Sequence, residues 1–358
     1  MSRADRAARL VADHDFDLLL VSDLYNVRYL SGFTGSNGVC LIGGKTRIFI
    51  TDFRYVERSK SEVSDFDLVR GKQDLLEQVV EVVKDQAGDS ASLGFDESHM
   101  TVKAHERLSG LMPEGSKLVA AGGLVEQLRA VKDDDELEKM RRAAEIADGL
   151  YRWLIEEHGL AGHTEAAVAR ALTRRAQDDG ADEVSFPPIV AAADNGALPH
   201  AEPGDFEIPR DALVVIDLGC AVEGYCSDCT RTLATGDVGD EAREAYELVR
   251  SAQAAAVAAV AAGAEAKAVD AAARDEIEQA GRGDQFGHGT GHGVGLEVHE
   301  APRIAPTVET LLEAGNVVTI EPGVYVPGEF GIRIEDMVLV TADGADSFTK
   351  VPHELITV

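Results

Sequence analysis

Four carboxylates stand inside the most apolar strand-like segments of the chain: Asp217 in VVIDLG, Asp228 in YCSDCT, Glu321 in VTIEPGVY and Glu335 in IRIEDM. Acidic side chains stay out of strand interiors unless something compensates their charge. Reversals join these segments in pairs. A turn at residues 221–224 places Asp217 opposite Asp228, and a turn at residues 327–329 places Glu321 opposite Glu335. Directly opposed residues share a sheet face, with Cβ atoms about 4.5–5.5 Å apart. Like charges that close repel one another and push one carboxyl pKa upward. One such residue alone can be a partly solvated strand end, as Asp217 near Gly219 or Glu321 beside Pro322 would be. Two opposed pairs in one fold call for cations among them. Four carboxylates and one imidazole suit two ions with shared oxygens, and such donors favour manganese, cobalt, iron or zinc over calcium. Two ions about 3.5–4 Å apart can bridge a water, lower its pKa and polarise the bond it attacks, so the pattern predicts a hydrolase.

The imidazole has to come from elsewhere in the chain. The stretch FGHGTGHGVGLEVHE, residues 286–300, holds three of the ten histidines, His288, His292 and His299. Its closely spaced glycines argue against an ordinary helix or a close-packed strand. Each histidine taken singly fits a solvated loop as well as a ligand position, so the residues alone leave the choice open. The pair His299-Glu300 lacks the second histidine of His-Glu-x-x-His, which excludes a zincin protease. Cys226 and Cys229, with Cys220 nearby, offer three thiols where a structural zinc needs four ligands, and they read as ordinary buried thiols.

A formal charge of -30 and a pI near 4.6 count against nucleic acid and anionic membranes as partners, since both require a basic footprint. The charged start MSRADRAARLVADHD does not resemble a signal peptide, and no apolar run is long enough to span a bilayer. With no secreted disulfide framework among the four cysteines, the expectation is a cytoplasmic protein. At 358 residues the chain can hold two domains, placed at 1–130 and 131–358. The first alternates strand and helix signals: FDLLLVS (16–22), a hairpin in GVCLIGGKTRIFIT turning at Gly43-Gly44, and helices near 74–85 and 104–111. That describes a small α/β domain. The second opens with a helix capped by Asp133 or Asp134 and stopped by Gly159, whose stripe of Leu137, Met140, Ala144, Ala147, Tyr151 and Leu154 is a core face. A helix from Thr164 to Gly180 follows, then a long helix or helix pair broken near Gly263, with strands between and after. Helices with antiparallel strands make this an α+β domain.

Four segments resemble the creatinase/aminopeptidase P/methionine aminopeptidase superfamily, in its order: FPPIVAAADNGALPHAEPGD, VVIDLGCAVEGYCSDCTRT, GHGTGHGVGLEVHE and VVTIEPGVYVPGEFGIRIED. NVRYLSGFTGSNG and ITDFRY resemble that family's creatinase-like N-terminal domain. The resemblance implies a pita-bread catalytic domain preceded by the smaller α/β domain. It assigns Asp217, Asp228, His292, Glu321 and Glu335 as ligands of two divalent ions, manganese first. Asp228 and Glu335 would bridge, with Asp217 on one ion and His292 and Glu321 on the other. It gives His299 and His200 as substrate-side histidines, His288 as a peripheral one, and Arg333 as the cation steadying the acidic cluster. On the residues alone, His200 also fits a solvated loop, and Arg333 also fits a structural ion pair.

Creatinase shares the fold without the metal set, and methionine aminopeptidases usually do without the first domain. The resemblance therefore points to aminopeptidase P or prolidase: an exopeptidase for peptides or dipeptides with proline second, working as a homodimer. A bridging water would attack the Xaa-Pro carbonyl, with Glu321 handling its proton and His299 assisting. A methionine-aminopeptidase-like exopeptidase and a non-catalytic peptide-binding pita-bread domain are the alternatives. The sequence does not choose between a dipeptidase and an aminopeptidase for longer peptides.

Overall fold

A computed structural model describes residues 1–358, which divide into two compact units, Met1–Arg129 and Ala130–Val358. The first unit is built on a six-stranded mixed sheet. Its spatial order is Asp67–Arg70, Thr46–Thr51, Gly38–Gly43, Leu18–Val21, Ser92–Phe95, Lys117–Ala120. The apolar run LLLV forms a central strand buried throughout, paired antiparallel with Gly38–Gly43 and parallel with Ser92–Phe95. The hairpin turns one residue later than the sequence suggests. Gly43 still pairs with Thr46, so Gly44 and Lys45 form the turn, with Gly44 at φ 46°. Val79 and Val83 of the helix Leu76–Ala87, with Leu108 of the helix Val102–Leu111, cover the sheet face carrying Leu18, Leu20, Leu41, Ile50 and Leu93.

The second unit repeats one motif twice: a helix pair packed on antiparallel strands. The helix Asp134–Trp153 begins with a capping box in which Asp133 accepts from the Glu136 N–H and Glu136 from the Asp133 N–H. It runs on through a π-turn, Leu154–His158, to Gly159. With the helix Glu165–Asp178, its stripe of Ala147, Leu150, Tyr151 and Leu154 packs on Val190, Val214, Ile216 and Leu218. Those residues belong to a three-stranded sheet in which Leu213–Leu218 lies between Ile189–Ala192 and Cys229–Ala234. The helices Gly239–Ala259 and Ala266–Gln279, separated around Gly263, cover the other half through Tyr246, Val249, Ala252, Val269 and Ala273. Beneath them lie Val318, Ile320, Val324 and Ile332, in the strands Val317–Ile320, Gly323–Val326 and Phe330–Arg333. No helix is long and apolar enough to cross a membrane.

The register of the two central hairpins sets where the carboxylates fall. Val317–Ile320 pairs with Asp336–Val340 and Gly323–Val326 with Phe330–Arg333 in one common register, which brings Glu321 level with Glu335 as expected. The other hairpin differs by two residues. Its turn is the tight pair Glu223-Gly224, at φ 49° and 77°, so Val222 faces Tyr225 and Asp217 faces Thr230 rather than Asp228. A two-residue displacement keeps the side-chain face, because the strand period is two, so Asp228 remains a diagonal neighbour of Asp217. The strand is also interrupted at Ser227-Asp228, where the sequence reads as continuous.

Tyr151 locks this hairpin from behind. Its fully buried hydroxyl donates towards the carbonyls of Ile216 (2.7 Å) and Cys229 (2.9 Å) and accepts from the Arg231 N–H (3.1 Å). Tyr151→Phe removes the group that ties the two carboxylate-bearing strands together. The expected loss is about 1–3 kcal/mol, measured as a lower denaturant midpoint with an unchanged m-value.

Candidate metal centre

The carboxylates converge where the two halves of the catalytic unit are stitched together. The Glu335 N–H donates to the Thr230 carbonyl at 3.0 Å, and the Arg333 N–H donates to the Thr232 hydroxyl, also at 3.0 Å. Asp228, His292 and Glu335 bring ligand-type atoms within 4.8 Å of one another. His292 Nε2 lies 3.6 Å from Asp228 Oδ2 and 3.4 Å from Glu321 Oε1. Asp217 joins through Arg333, whose Nη2 is 2.8 Å from Asp217 Oδ2. All five residues named from the sequence as ligands thus come to one place.

His292 is presented in the form a metal needs. Its Nδ1 is 3.0 Å from the carbonyl of Gly293, an oxygen that can only accept, so Nδ1 carries the proton and the Nε2 lone pair faces the carboxylates. Burial pushes its pKa down to about 4, which keeps the ring neutral. His288 differs. It donates from Nδ1 to the Gly289 carbonyl and accepts at Nε2 from the Tyr325 hydroxyl (2.9 Å). Both of its nitrogens are engaged away from the carboxylates. His299 is exposed, with its ring edge-on to His292, centroids 4.3 Å apart. His200 is exposed and follows Pro199, whose carbonyl accepts from Arg333 Nη1 at 3.2 Å.

Charge at this centre is far from balanced. Burial, and then the neighbouring carboxylates, hold Asp228 and Glu335 well above the usual carboxylate range. Burial raises Glu321 to about 7, with Arg333 opposing and Asp217 adding to the rise. Arg333, itself buried, is the cation among them. The Oδ1 atoms of Asp217 and Asp228 are buried with no hydrogen-bond partner. Orphaned, buried carboxylate oxygens are costly unless something binds them. The donor set, oxygen-rich with one neutral imidazole, fits a divalent ion. A second group, Asp96, His99 and Glu126, also gathers ligand-type atoms, but its His99 and Glu126 side chains are 35% and 27% exposed. Solvent reaches two of its three residues, although Asp96 Oδ2 is itself buried without a hydrogen-bond partner.

Three residues that the sequence reading passed over hold the centre in shape. The Thr230 hydroxyl donates to Glu335 Oε2 (2.6 Å) and accepts from Arg333 Nε (3.2 Å). Thr319 Oγ1 lies 3.3 Å from Glu321 Oε1 and accepts from the His292 N–H. Tyr325 links Arg333 Nη1 to His288. Strand alternation offered a signal for each, since Thr230, Thr319 and Tyr325 sit an even number of residues from Asp228 or Glu321. Threonine and tyrosine are nevertheless ordinary strand residues. The four cysteines are buried free thiols, with burial raising Cys220 to about 12.

A buried cluster of carboxylates with one imidazole lone pair turned into it, on this two-half fold, is the centre of a metal-dependent hydrolase. Residues 138–342 match the model of metallopeptidase family M24, and residues 3–131 match the creatinase/prolidase N-terminal domain. The chain belongs to family M24, in its Xaa-Pro dipeptidase/aminopeptidase P branch, with a pita-bread catalytic domain after a creatinase-like one. It is 36% identical to an Xaa-Pro dipeptidase of Pyrococcus furiosus over 99% of both chains. Among solved structures, an Xaa-Pro dipeptidase from Bacillus anthracis superposes with a TM-score of 0.95 at 37% identity, covering 99% of both chains. An X-Pro aminopeptidase from Thermotoga maritima does so at 0.91 and 34%, covering both chains completely.

The raised carboxyls give the metal-free protein a pH dependence of defined sign. Unfolded, Asp and Glu titrate near about 4. Folded, Glu321 titrates near about 7, and Asp228 and Glu335 are also raised, so the native state holds more protons across that window. Stability from this cluster is therefore present below about pH 4 and falls as pH rises through about 7. Denaturant unfolding of chelated protein between about pH 5 and 8 should show this fall, with a smaller slope in Glu335→Gln. Adding a divalent ion should restore stability and release protons, measured by calorimetry in buffers of different ionisation enthalpy.

Proposed function

We propose that the protein is a dinuclear-metal exopeptidase that hydrolyses the bond between an N-terminal residue and a following proline. The observation that carries this reading is the set of orphaned oxygens on Asp217 and Asp228 beside the His292 lone pair, within a two-domain M24 chain. Asp217, Asp228, His292, Glu321 and Glu335 would hold two ions. Manganese is the proposed metal because the donors are hard oxygens with one imidazole. Bound ions would supply Lewis acidity and lower the pKa of a bound water. The rest of the chemistry falls to the chain's own groups. Glu321 accepts a proton from the attacking water and passes it to the leaving proline nitrogen. His299, edge-on to the His292 ring, donates to the carbonyl oxygen as charge develops there. His200 assists from the loop anchored by Arg333, and His288 supports that arginine through Tyr325. The free α-amine of a substrate complements the negative cluster, which accounts for exopeptidase action.

The creatinase-like domain and the proline-directed names of the relatives favour this reading over methionine cleavage. The complete donor set favours it over a non-catalytic binding domain. The four reduced, buried thiols support a cytoplasmic protein, and we propose a homodimer.

The three histidines of the glycine-rich segment should separate experimentally. His292→Ala lowers metal content, whereas His299→Ala keeps it and lowers kcat about a hundredfold. His288→Ala is milder than either. Metal analysis and steady-state kinetics on the purified variants check this, and metal loss confined to His299→Ala would show the ligand to be misassigned.

Proline selectivity has a physical size. The Xaa-Pro amide has no N–H and its ring fixes φ, so a pocket shaped for it leaves a non-proline N–H without a partner. Such a group costs about 1–3 kcal/mol. At about 1.4 kcal/mol per tenfold, kcat/KM for Ala-Pro should exceed that for Ala-Ala at least several-fold. Equal values would reject proline selectivity, and faster cleavage of Met-Ala peptides would favour the methionine branch.

A further inference from the structure

His299 rides on a loop, not on a strand or a helix. Gly293 and Glu300 pair across the strands Gly291–Gly293 and Glu300–Ile304, leaving residues 294–299 as the connection. That connection is glycine-containing, lacks regular structure and ends on the imidazole that borders the metal site. Something must hold it, because misplacing a catalytic group by about 1 Å can cost a hundredfold in rate.

The side chain of Glu300 closes the loop from inside. Its Oε1 accepts from the Glu297 N–H at 3.0 Å, and the Gly295 N–H donates to the Glu297 carbonyl at 3.0 Å. A Cβ on Gly295 would lie 2.6 Å from both Glu300 carboxylate oxygens, so the loop folds directly onto that carboxylate. Lys132 Nζ lies 3.3 Å from Glu300 Oε2 and 3.5 Å from the Ala130 carbonyl. The Lys132 side chain is 0% exposed and that of Glu300 5%. A lysine buried to that degree is rare, and a buried ion pair is poor value as a source of stability, since desolvation offsets much of its attraction. Its geometry is better explained by what it orients. The backbone on either side is fixed independently: the Lys132 N–H donates to the Gly315 carbonyl at 2.9 Å, and the Ala130 carbonyl accepts from Asn316 Nδ2 at 2.9 Å. Across the loop, the Cys226 N–H donates to the Gly295 carbonyl at 2.8 Å. The loop is thus held at Gly295 from the strand Tyr225–Cys226 and at Glu300 from Lys132.

We infer that Lys132 and Glu300 are positioning residues for His299, forming a buried ionic clamp that sets the 294–299 loop against the metal site. The role given to His299 rests on the proposed peptidase reading; the clamp itself does not. Lys132→Met alone leaves the Glu300 carboxylate buried beside a lost cation and can fail to fold, so the decisive variant is Lys132→Met with Glu300→Met. That pair removes both charges at similar volume, an exchange that is often tolerated. In the manganese-loaded protein, amides of residues 295–299 should exchange with deuterium faster in the double variant, with metal content unchanged. On Ala-Pro, kcat should fall about 10–100-fold, with KM moving less than about threefold. In a His299→Ala background the same two substitutions should lower kcat no further, because residues acting through one group are non-additive. Unchanged exchange in the loop would overturn the inference. So would an equal loss of kcat with and without His299, which would mark the pair as a general structural element. The exchange measurement needs no substrate. A wild-type protein that fails on Xaa-Pro peptides would defeat the proposed function while leaving the clamp to be judged by its loop.

Discussion

The catalytic unit is organised around the cost of placing like charges in the same dry space. Asp217, Asp228, Glu321 and Glu335 approach one another at the seam between two halves, where solvent is scarce and only Arg333 answers them directly. Desolvation and mutual repulsion each favour protonation of such carboxylates. A fold keeping them as anions therefore needs divalent charge, and the buried, unpartnered oxygens of Asp217 and Asp228 are atoms such an ion would meet. Metal binding and folding of this seam are in that sense one equilibrium, linked through protons.

Two buried arginines divide the remaining work. Arg333 lies on the site side, joining Asp217, Thr230, Tyr325 and the Pro199 carbonyl. Arg231, 1% exposed, lies behind it. It donates to Asp336 Oδ1 (2.8 Å) and to the carbonyls of Glu335, Val351 and Pro352. Burial works to raise Asp336, but Arg231 and then His353 overcome it and hold the carboxyl well below the usual range. Neighbours in sequence, Glu335 and Asp336 thus meet opposite environments. One is raised among anions and the other is neutralised by a guanidinium. Strand alternation is the reason: successive side chains leave on opposite faces.

Much of this is legible in the sequence. Carboxylates within apolar strands announce a charge that must be compensated, and the capping residues Asp133 and Thr164 fix their helices by local hydrogen bonds alone. The Glu321–Glu335 register followed from the three-residue turn around Gly328. The Asp217 register did not. A four-residue reversal and the tight Glu223-Gly224 turn are both compatible with that stretch, and strand pairing on both sides selects between them. Thr230, Thr319 and Tyr325 were hard to single out for a related reason, as their importance comes from partners 8–105 residues away along the chain, brought close only by sheet assembly.

What the sequence determined by itself was the chemistry on offer: which residues can carry charge, which can donate a lone pair, and which segments must be buried with them. Local rules suffice there, because side-chain type and strand or helix period act over a few residues. The tertiary structure decided which histidine turns its lone pair inward. His288 and His292 stand in the same Gly-His-Gly context, and each gives its Nδ1 proton to the next carbonyl. They part only at Nε2, where His288 meets the Tyr325 hydroxyl and His292 meets Asp228 and Glu321. That difference arises from strands far apart in sequence, and no local pattern encodes it.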